Sequence, residues 1–464
     1  MTDNREPSTR SSNPHRLGHL DPPEAVKEIV ARLERAGFET WCVGGAVRDA
    51  LLGHPHLDWD FATAATPAQV MGVFKRTVPV GVEFGTVGVF DSQNTMHEVT
   101  TFRRDVNTDG RHAVVEFGAS LDDDLARRDF TVNAIAYHPK SEELRDPFEG
   151  QLDLKRGLIR AVGTASERMR EDRLRALRGI RFASRFKFHI EPATWAAIKD
   201  SASHMSRLSP ERVKQELQKT MEQVERPSIA LEWWREARFL EELVPSIAAA
   251  PAERFAALDY LPRVEGDAGA GAGTGTGAGT GATLNRLAML FFGESESGVA
   301  AATKALRFSN ADSSWIAKLA GARAELGPKI DAAIESGSPP AGDVRRWVAR
   351  IGRMRTETFF TLNAALWRAR LALDADAAAE SRLALDADAA AESRLDPLTK
   401  LAVIIAFRDP IEIADLAVDG EDLKKAGVEN GPEMGKVLHA LLARVIDDPA
   451  LNTNARLMEL ARAL

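Results

Sequence analysis

The stretch "VGGAVRDALLGHPHLDWDFAT", residues 43–63, sets a glycine pair before a helix-like run and ends in two aspartates around one tryptophan. Neighbouring side chains in a strand face opposite sides, so Leu57, Trp59 and Phe61 point one way and Asp58 and Asp60 the other. The apolar set is available for a core, which leaves two carboxylates side by side. Such charges repel unless a cation sits between them, and a hard, oxygen-loving ion such as Mg²⁺ suits the pair. Paired ions of this kind can clamp the attacking and leaving oxygens of a phosphoryl transfer. Taken alone, Asp-x-Asp equally describes a solvated strand face.

The upstream half narrows the choice. Gly44 and Gly45 end a strand-like run and precede "AVRDALLG". Glycine there lets backbone N–H groups approach a phosphate, and a helix N-terminus favours anions. Arg48 follows in the first turn and can add charge-assisted bonds to phosphate oxygens. The competing reading is a plain corner with Arg48 paired to Asp49. A dinucleotide fingerprint is absent, because no G-x-G-x-x-G follows the strand.

Around this stretch, "TWCVGGAV", "LDWDFAT", "FGTVGVF" and "MHEVTTF" are strand candidates, rich in Val, Thr, Phe and Trp. "PPEAVKEIVARLERAGF" predicts an amphipathic helix with Val26, Ile29, Val30 and Leu33 on one face and Gly37 at its end. "TPAQVMGVFKR" predicts another, with Thr66 as N-cap and Pro67 first in the helix. Helices on a small sheet give an α/β or α+β head. From about residue 165 the pattern changes to helix after helix. "GDAGAGAGTGTGAGTGA" (266–282) is predicted to be a flexible linker. "LALDADAAAESR" stands at 371–382 and again at 383–394, a tandem copy that predicts an Ala-rich helical extension without a chemical role.

With 464 residues the chain exceeds one core and is expected to hold about three domains. No apolar run approaches the roughly 20 residues that span a bilayer, so no membrane segment is expected. The polar start, "MTDNREPSTRSSNPHRLGHLDPP", reads as a disordered lead-in. Cys42 is the single cysteine, which excludes an internal disulfide and a cysteine-based zinc site and makes a cytosolic location the simplest expectation. It is expected in the core. A net charge of -8 argues mildly against a nucleic-acid partner, yet "SERMREDRLRALRGIRFASRFKF" leaves a local basic surface open.

Within that segment Asp172, Arg175, Arg178 and Arg181 are spaced by three, a polar band on one helix with Leu174, Leu177 and Ile180 beside it. A solvated face has the same pattern. Asp172 with Arg175 offers more: a carboxylate accepts from the exocyclic amine of cytosine or adenine, and a guanidinium donates to the neighbouring acceptor. Uracil presents the inverse, so the pair can select C and A without a template. In "DDDLARRDFTVNAIAYHP", Arg127 and Arg128 are candidates for sugar or phosphate contacts, with Asp129 holding one of them. A surface ion pair is the alternative. Glu98 or Asp129 is the candidate for a third catalytic carboxylate. The ten histidines show no metal-ligand spacing.

Together "GGAVRDALLG", "LDWDFATAATP", "EVTTFRRD", "DGRH", "SLDDDLARRDFTVNAIAY", "DPFEGQLDLKRGLIRAVG" and "REDRLRALRGIRFASRF" resemble the class II nucleotidyltransferases, the family of bacterial CCA-adding tRNA nucleotidyltransferases and poly(A) polymerases. The resemblance runs through about residues 40–190 and returns in the tail segment "LAVDGEDLKKAGVENGPEMGKVLHALLARVIDDP". It implies an α+β fold: a lead-in over 1–21, a small mixed-sheet head over 22–160, then an elongated all-α neck (161–225), body (226–345) and tail (346–464). Carried onto this chain, Asp58 and Asp60 bind the catalytic Mg²⁺. Gly45 and Arg48 hold the nucleotide's phosphates, with Arg128 also on the nucleotide. Asp172 and Arg175 read the base, and Arg178 and Arg181 complete the pocket. The implied reaction adds CMP and AMP from CTP and ATP to the tRNA 3′ end and releases pyrophosphate, with tail and body holding the tRNA by backbone and shape. "TTFRRDVNTDGRHAVVEF" matches the segment such enzymes use when switching from C to A addition. Poly(A) synthesis, CC-only and A-only addition are the alternatives. No His-Asp phosphohydrolase pair occurs in the helical half, so no such accessory activity is expected. The oligomeric state is not legible.

Overall fold

The computed structural model describes residues 18–463 except 19, 55–58, 109–112, 263–277, 338, 378–382, 426 and 430. Asp58, the "DGRH" motif and nearly all of the lead-in therefore lie outside the described residues, as do 266–277 of the glycine-rich segment.

The head begins with α1 (Glu24–Arg35), which buries the expected Val26, Ile29, Val30 and Leu33. The elements that follow are β1 (Thr40–Val43), α2 (Gly45–Leu51), β2 (Asp60–Thr63), α3 (Pro67–Val73), β3 (Thr77–Gly81), β4 (Thr86–Phe90), β5 (Met96–Thr101), β6 (Arg103–Thr108), β7 (Ala113–Phe117), α4 (Leu121–Ala126), β8 (Ala136–His138), β9 (Glu143–Arg145) and α5 (Gly150–Arg156). Thr66 and Gln69 close a capping box on α3, and Ser120 and Asp123 close another on α4. Seven strands form one sheet in the order β3-β4-β5-β2-β1-β8-β9, antiparallel except where β2 runs parallel to β5. β6 and β7 pair as a separate hairpin.

β1 is buried throughout, Cys42 included, because both faces of this central strand are covered. Trp41, Val43 and Ala62 pack with Leu121 and Leu125 of α4, Phe102 and Val162. Trp59 and Phe61 are buried as the alternation predicts, and the Phe61 ring meets the edge of His97. The strand itself is shorter than expected: the described part of the segment becomes β-structure only at Asp60.

The neck follows as β10 (Leu158–Ile159), α6 (Ala165–Glu171), α7 (Leu174–Phe186), β11 (His189–Ile190), α8 (Pro192–Asp200) and α9 (Pro210–Gln223). The predicted single helix is two. Asp172 is extended (φ −152°, ψ 107°), and its Oδ1 accepts the Leu174 N–H at 3.0 Å. That local bond competes with helical pairing and starts α7 afresh. Asp172 thus sits in the break rather than on the band with Arg175, Arg178 and Arg181.

The chain divides into two units, one running to Leu243 and the other holding Val244–Val264 and Ala278–Leu464. Helices α10 (Pro227–Glu236) and α11 (Phe239–Leu243), expected in the body, belong to the first unit. Ala230, Leu231 and Trp234 of α10 are buried there. The second unit is helical among its described residues. The helix Ala278–Leu290 takes up the last residues of the expected linker. Residues 371–377 of the first repeat copy extend the helix Thr356–Ala377, and the second copy opens its packed neighbour Leu383–Arg408. Residues 416–461 enclose their own core around Leu423, Leu441, Val445 and Leu457.

Candidate active site

The site starts from one rung of the sheet, where Val43 pairs with Asp60 across β1 and β2. β1 then turns at Gly44, whose φ of +76° only glycine adopts without strain. A Cβ there would lie 2.9 Å from Nη1 of Arg128 and 3.9 Å from Oδ2 of Asp60. Turn, arginine and carboxylate therefore converge on one point. Gly45 is the first residue of α2, and a Cβ on it would meet only Nη2 of Arg48 at 3.6 Å, an ordinary contact. The geometry demands glycine at 44. Gly44→Ala should lose about 1–2 kcal/mol of stability in urea unfolding and about a hundredfold in kcat/KM for nucleotide, since the added Cβ displaces Arg128, the candidate nucleotide ligand.

The parallel register that sets Phe61 beside Val99 places Asp60 beside Glu98 at the start of β5. On the other side Glu98 faces Gly88, which has no side chain to crowd it. Two carboxylates at neighbouring strand positions offer oxygen ligands only, the donor set a hard divalent cation takes. Asp129, the other candidate for a third carboxylate, is committed elsewhere. Its Oδ1 accepts from the Phe130 N–H and Asn133 Nδ2, and its Oδ2 accepts from Arg178 Nε at 2.7 Å. Burial opposes its charge, but the Arg178 guanidinium and these hydrogen bonds outweigh burial and hold the carboxyl well below the usual range.

Asp129 was expected to hold Arg127 or Arg128; Asp124 does so instead. Its Oδ1 takes Nε and Nη2 of Arg127 at 2.9 and 2.8 Å, and its Oδ2 takes Nη2 of Arg128 at 3.2 Å. Asp124 is fully buried; the two guanidiniums overcome that burial and lower its carboxyl. The signal was in the sequence, as an acid three and four residues before two arginines on a helix end. Nη1 of Arg128 also donates to the Asn133 carbonyl at 3.3 Å, which fixes it over the Gly44 turn.

Arg48 is held within the protein, with Nη2 beside Gly45. It is buried between the rings of Phe182 and Phe186, 5.0 and 4.7 Å from their centroids. Its Nε donates to Asp49 Oδ1 at 2.7 Å and its Nη1 to Asn133 Oδ1. Burial pulls the guanidinium below its ordinary value and Asp49 offsets part of that. The ion pair of Arg48 with Asp49 is present, and its ring contacts join α2 to α7.

The arginines of α7 reach three separate acids. Arg178 takes Asp129, Arg185 takes Asp49 Oδ2 at 3.0 Å, and Arg181 takes Glu216 of α9 at 2.8 Å. Arg178 stays half-buried. Arg181 is buried and gives its remaining donors to Gln223 and Glu216, so it binds α7 to α9.

Asp172 and Arg175 are part-exposed at the helix break. Arg175 Nη1 donates to Glu171 Oε2 at 2.6 Å and to the Arg168 carbonyl at 3.1 Å, and Nη2 donates to the Arg127 carbonyl at 3.0 Å. Asp172 Oδ2 accepts from Arg212 Nη2 at 2.6 Å. Sequence reasoning missed Glu171, Asn133 and Arg212. The last two stand far along the chain from the groups they hold, beyond any local pattern.

A glycine turn and a carboxylate strand aligned on one arginine are what nucleotidyl transfer requires of a small mixed sheet, and they place the fold in that class. Comparison with known proteins agrees. Residues 40–160 match the poly(A) polymerase head domain, 187–250 the RNA- and SrmB-binding site of polymerase A, and 397–461 the tRNA nucleotidyltransferase domain 2. The CCA-adding enzyme of Limosilactobacillus fermentum is 33% identical over 95% of this chain and 97% of its own length. That of Lactiplantibacillus plantarum is 45% identical over 200 residues, 43% of this chain; in that match the chain spans about half the relative's length (49%). Among solved structures, the Bacillus stearothermophilus CCA-adding enzyme in complex with CTP superposes with a TM-score of 0.70 at 28% identity, over 96% of this chain and 99% of that one. The Thermotoga maritima enzyme complexed with tRNA shares the fold at 20% identity and a TM-score of 0.61, over 96% of each chain. The chain belongs to the class II nucleotidyltransferase family of CCA-adding enzymes and poly(A) polymerases. No helix among the described residues is long and apolar enough to cross a membrane.

Proposed function

We propose that this chain is a CCA-adding tRNA nucleotidyltransferase, extending the tRNA 3′ end with CMP from CTP and AMP from ATP without a nucleic-acid template. The observation that carries the reading is one line of contacts. Arg175 grips the Arg127 carbonyl, and the next residue, Arg128, overlies Gly44 beside Asp60. Base reader and phosphate turn thus meet across a single peptide. Relatives solved with CTP and with tRNA support the same reading.

Arg128 and the N–H groups of the turn at Gly44 and Gly45 hold the nucleotide's phosphates. Asp172 accepts from the exocyclic amine of the base and Arg175 donates to the acceptor beside it. Arg178 backs the pocket through Asp129. The terminal RNA hydroxyl oxygen bonds to the α-phosphorus as the bond to pyrophosphate breaks and the hydroxyl proton departs. Asp58 and Asp60, with Glu98 beside Asp60, would hold Mg²⁺, which would supply charge neutralisation at the phosphates. The protein's part is positioning and electrostatics, with no covalent intermediate. Body and tail hold the tRNA through its backbone and shape. The proposed compartment is the cytoplasm, where tRNA, CTP and ATP occur together.

The test uses purified protein with tRNA transcripts lacking CCA, CA or A, offered CTP and ATP separately and together. Completion of CCA and a stop there is the expected result. Growth past three nucleotides on generic RNA would make it a poly(A) polymerase, and a halt at CC or a lone A addition would make it a partial enzyme.

A further inference from the structure

The contact that no local pattern announces is Arg212 to Asp172. Asp172 has left the helix, so its side chain is tethered on one side only, by the Leu174 N–H on Oδ1. The second tether comes from another helix. Arg212 stands in the first turn of α9, and its Nη2 donates to Oδ2 at 2.6 Å, a short charge-assisted bond. Two bonds on two oxygens fix the plane of the carboxylate. An ionised carboxylate has about four acceptor positions, so two remain for a ligand's amine.

α9 is itself anchored. Glu216 lies one turn beyond Arg212 on the same face and holds the buried Arg181 of α7. One end of α9 is therefore locked into the neck while the other reaches the helix break. Among the described residues Arg212 has no other partner, so the contact is not shared with a wider surface network.

We infer that Arg212 is a specificity-determining positioning residue: it orients Asp172 so that the carboxylate meets the amine of C or A and rejects bases lacking it. The inference rests on the reading of Asp172 and Arg175 as base selectors. Arg212 needs no contact with the nucleotide to act this way.

The experiment measures kcat and KM for CTP, ATP, UTP and GTP on the transcripts above, in wild type and in Arg212→Ala, Arg212→Gln and Arg212→Lys. The expected result is a loss of about tenfold in kcat/KM for CTP and ATP, mainly in KM, with discrimination against UTP and GTP relaxed by a similar factor. Arg212→Lys should regain part of the selectivity, because it keeps the charge without the fork. Thermal melts monitor folding, and if the alanine variant fails to fold, the glutamine and lysine variants carry the comparison. Asp172→Asn and Arg175→Ala run alongside. If they relax selectivity and the Arg212 variants do not, the inference is overturned. A uniform fall in kcat for all four nucleotides with selectivity intact marks a structural brace and overturns it too. If none of the variants alters selectivity, the base-selector reading fails and this inference with it.

Discussion

Asp60→Ala should slow nucleotide transfer by at least about a thousandfold, some 4 kcal/mol of transition-state stabilisation, while tRNA affinity changes by less than about twofold. The carboxylate begins β2, and alanine keeps the backbone rung that Asp60 shares with Val43. What disappears is negative charge opposite Arg128 and the Gly44 turn, where the proposed site would balance phosphate and metal charge. Single-turnover rates at saturating nucleotide, with filter binding of tRNA, separate the two effects. Unchanged transfer would remove the metal assignment.

Glu216→Gln should cost about 3–5 kcal/mol of stability, the penalty for leaving buried charge without its partner. Glu216 and Arg181 are both nearly inaccessible, with side chains 3% and 4% exposed. Glu216 also faces Lys219 and Arg178, and it raises both against the burial that lowers them. Its loss therefore leaves three cations crowded together. Arg181→Met should cost less, because Glu216 keeps Lys219 and Arg178 as neighbours. Replacing both, with Met and Leu, should recover most of the loss. Urea unfolding of the four proteins gives the order directly, and equal losses for the two single variants would show that Lys219 and Arg178 play no part.

The sequence carried what local chemistry determines. Gly44, Asp60 and the paired arginines declare themselves because a turn glycine, a strand carboxylate and an arginine pair at a helix end each show within a few consecutive residues. The change of period near residue 165 announced the helical remainder, and the family resemblance chose α+β for the whole. Long-range partners stayed hidden. Arg48 reads as a phosphate ligand, and its contacts to Asn133, 85 positions away, and to the α7 phenylalanines carry no local signal. The break at Asp172 was masked because Asp172 keeps the three-residue spacing of Arg175, Arg178 and Arg181, and only the carboxylate's bond to the Leu174 N–H reveals the stop. The end of the first unit at Leu243 depended on which core α10 joins, a choice its own pattern leaves open.

The ion pairs joining α7 to the head have a consequence for how the molecule meets its solvent. Asp49 with Arg48 and Arg185, and Asp129 with Arg178, lie where mobile counterions scarcely reach. Contacts to an RNA backbone are the opposite case, weakened steeply as counterions compete for the phosphates. Rising ionic strength should therefore strip away RNA capture long before it disturbs the chamber in which the nucleotide is chosen.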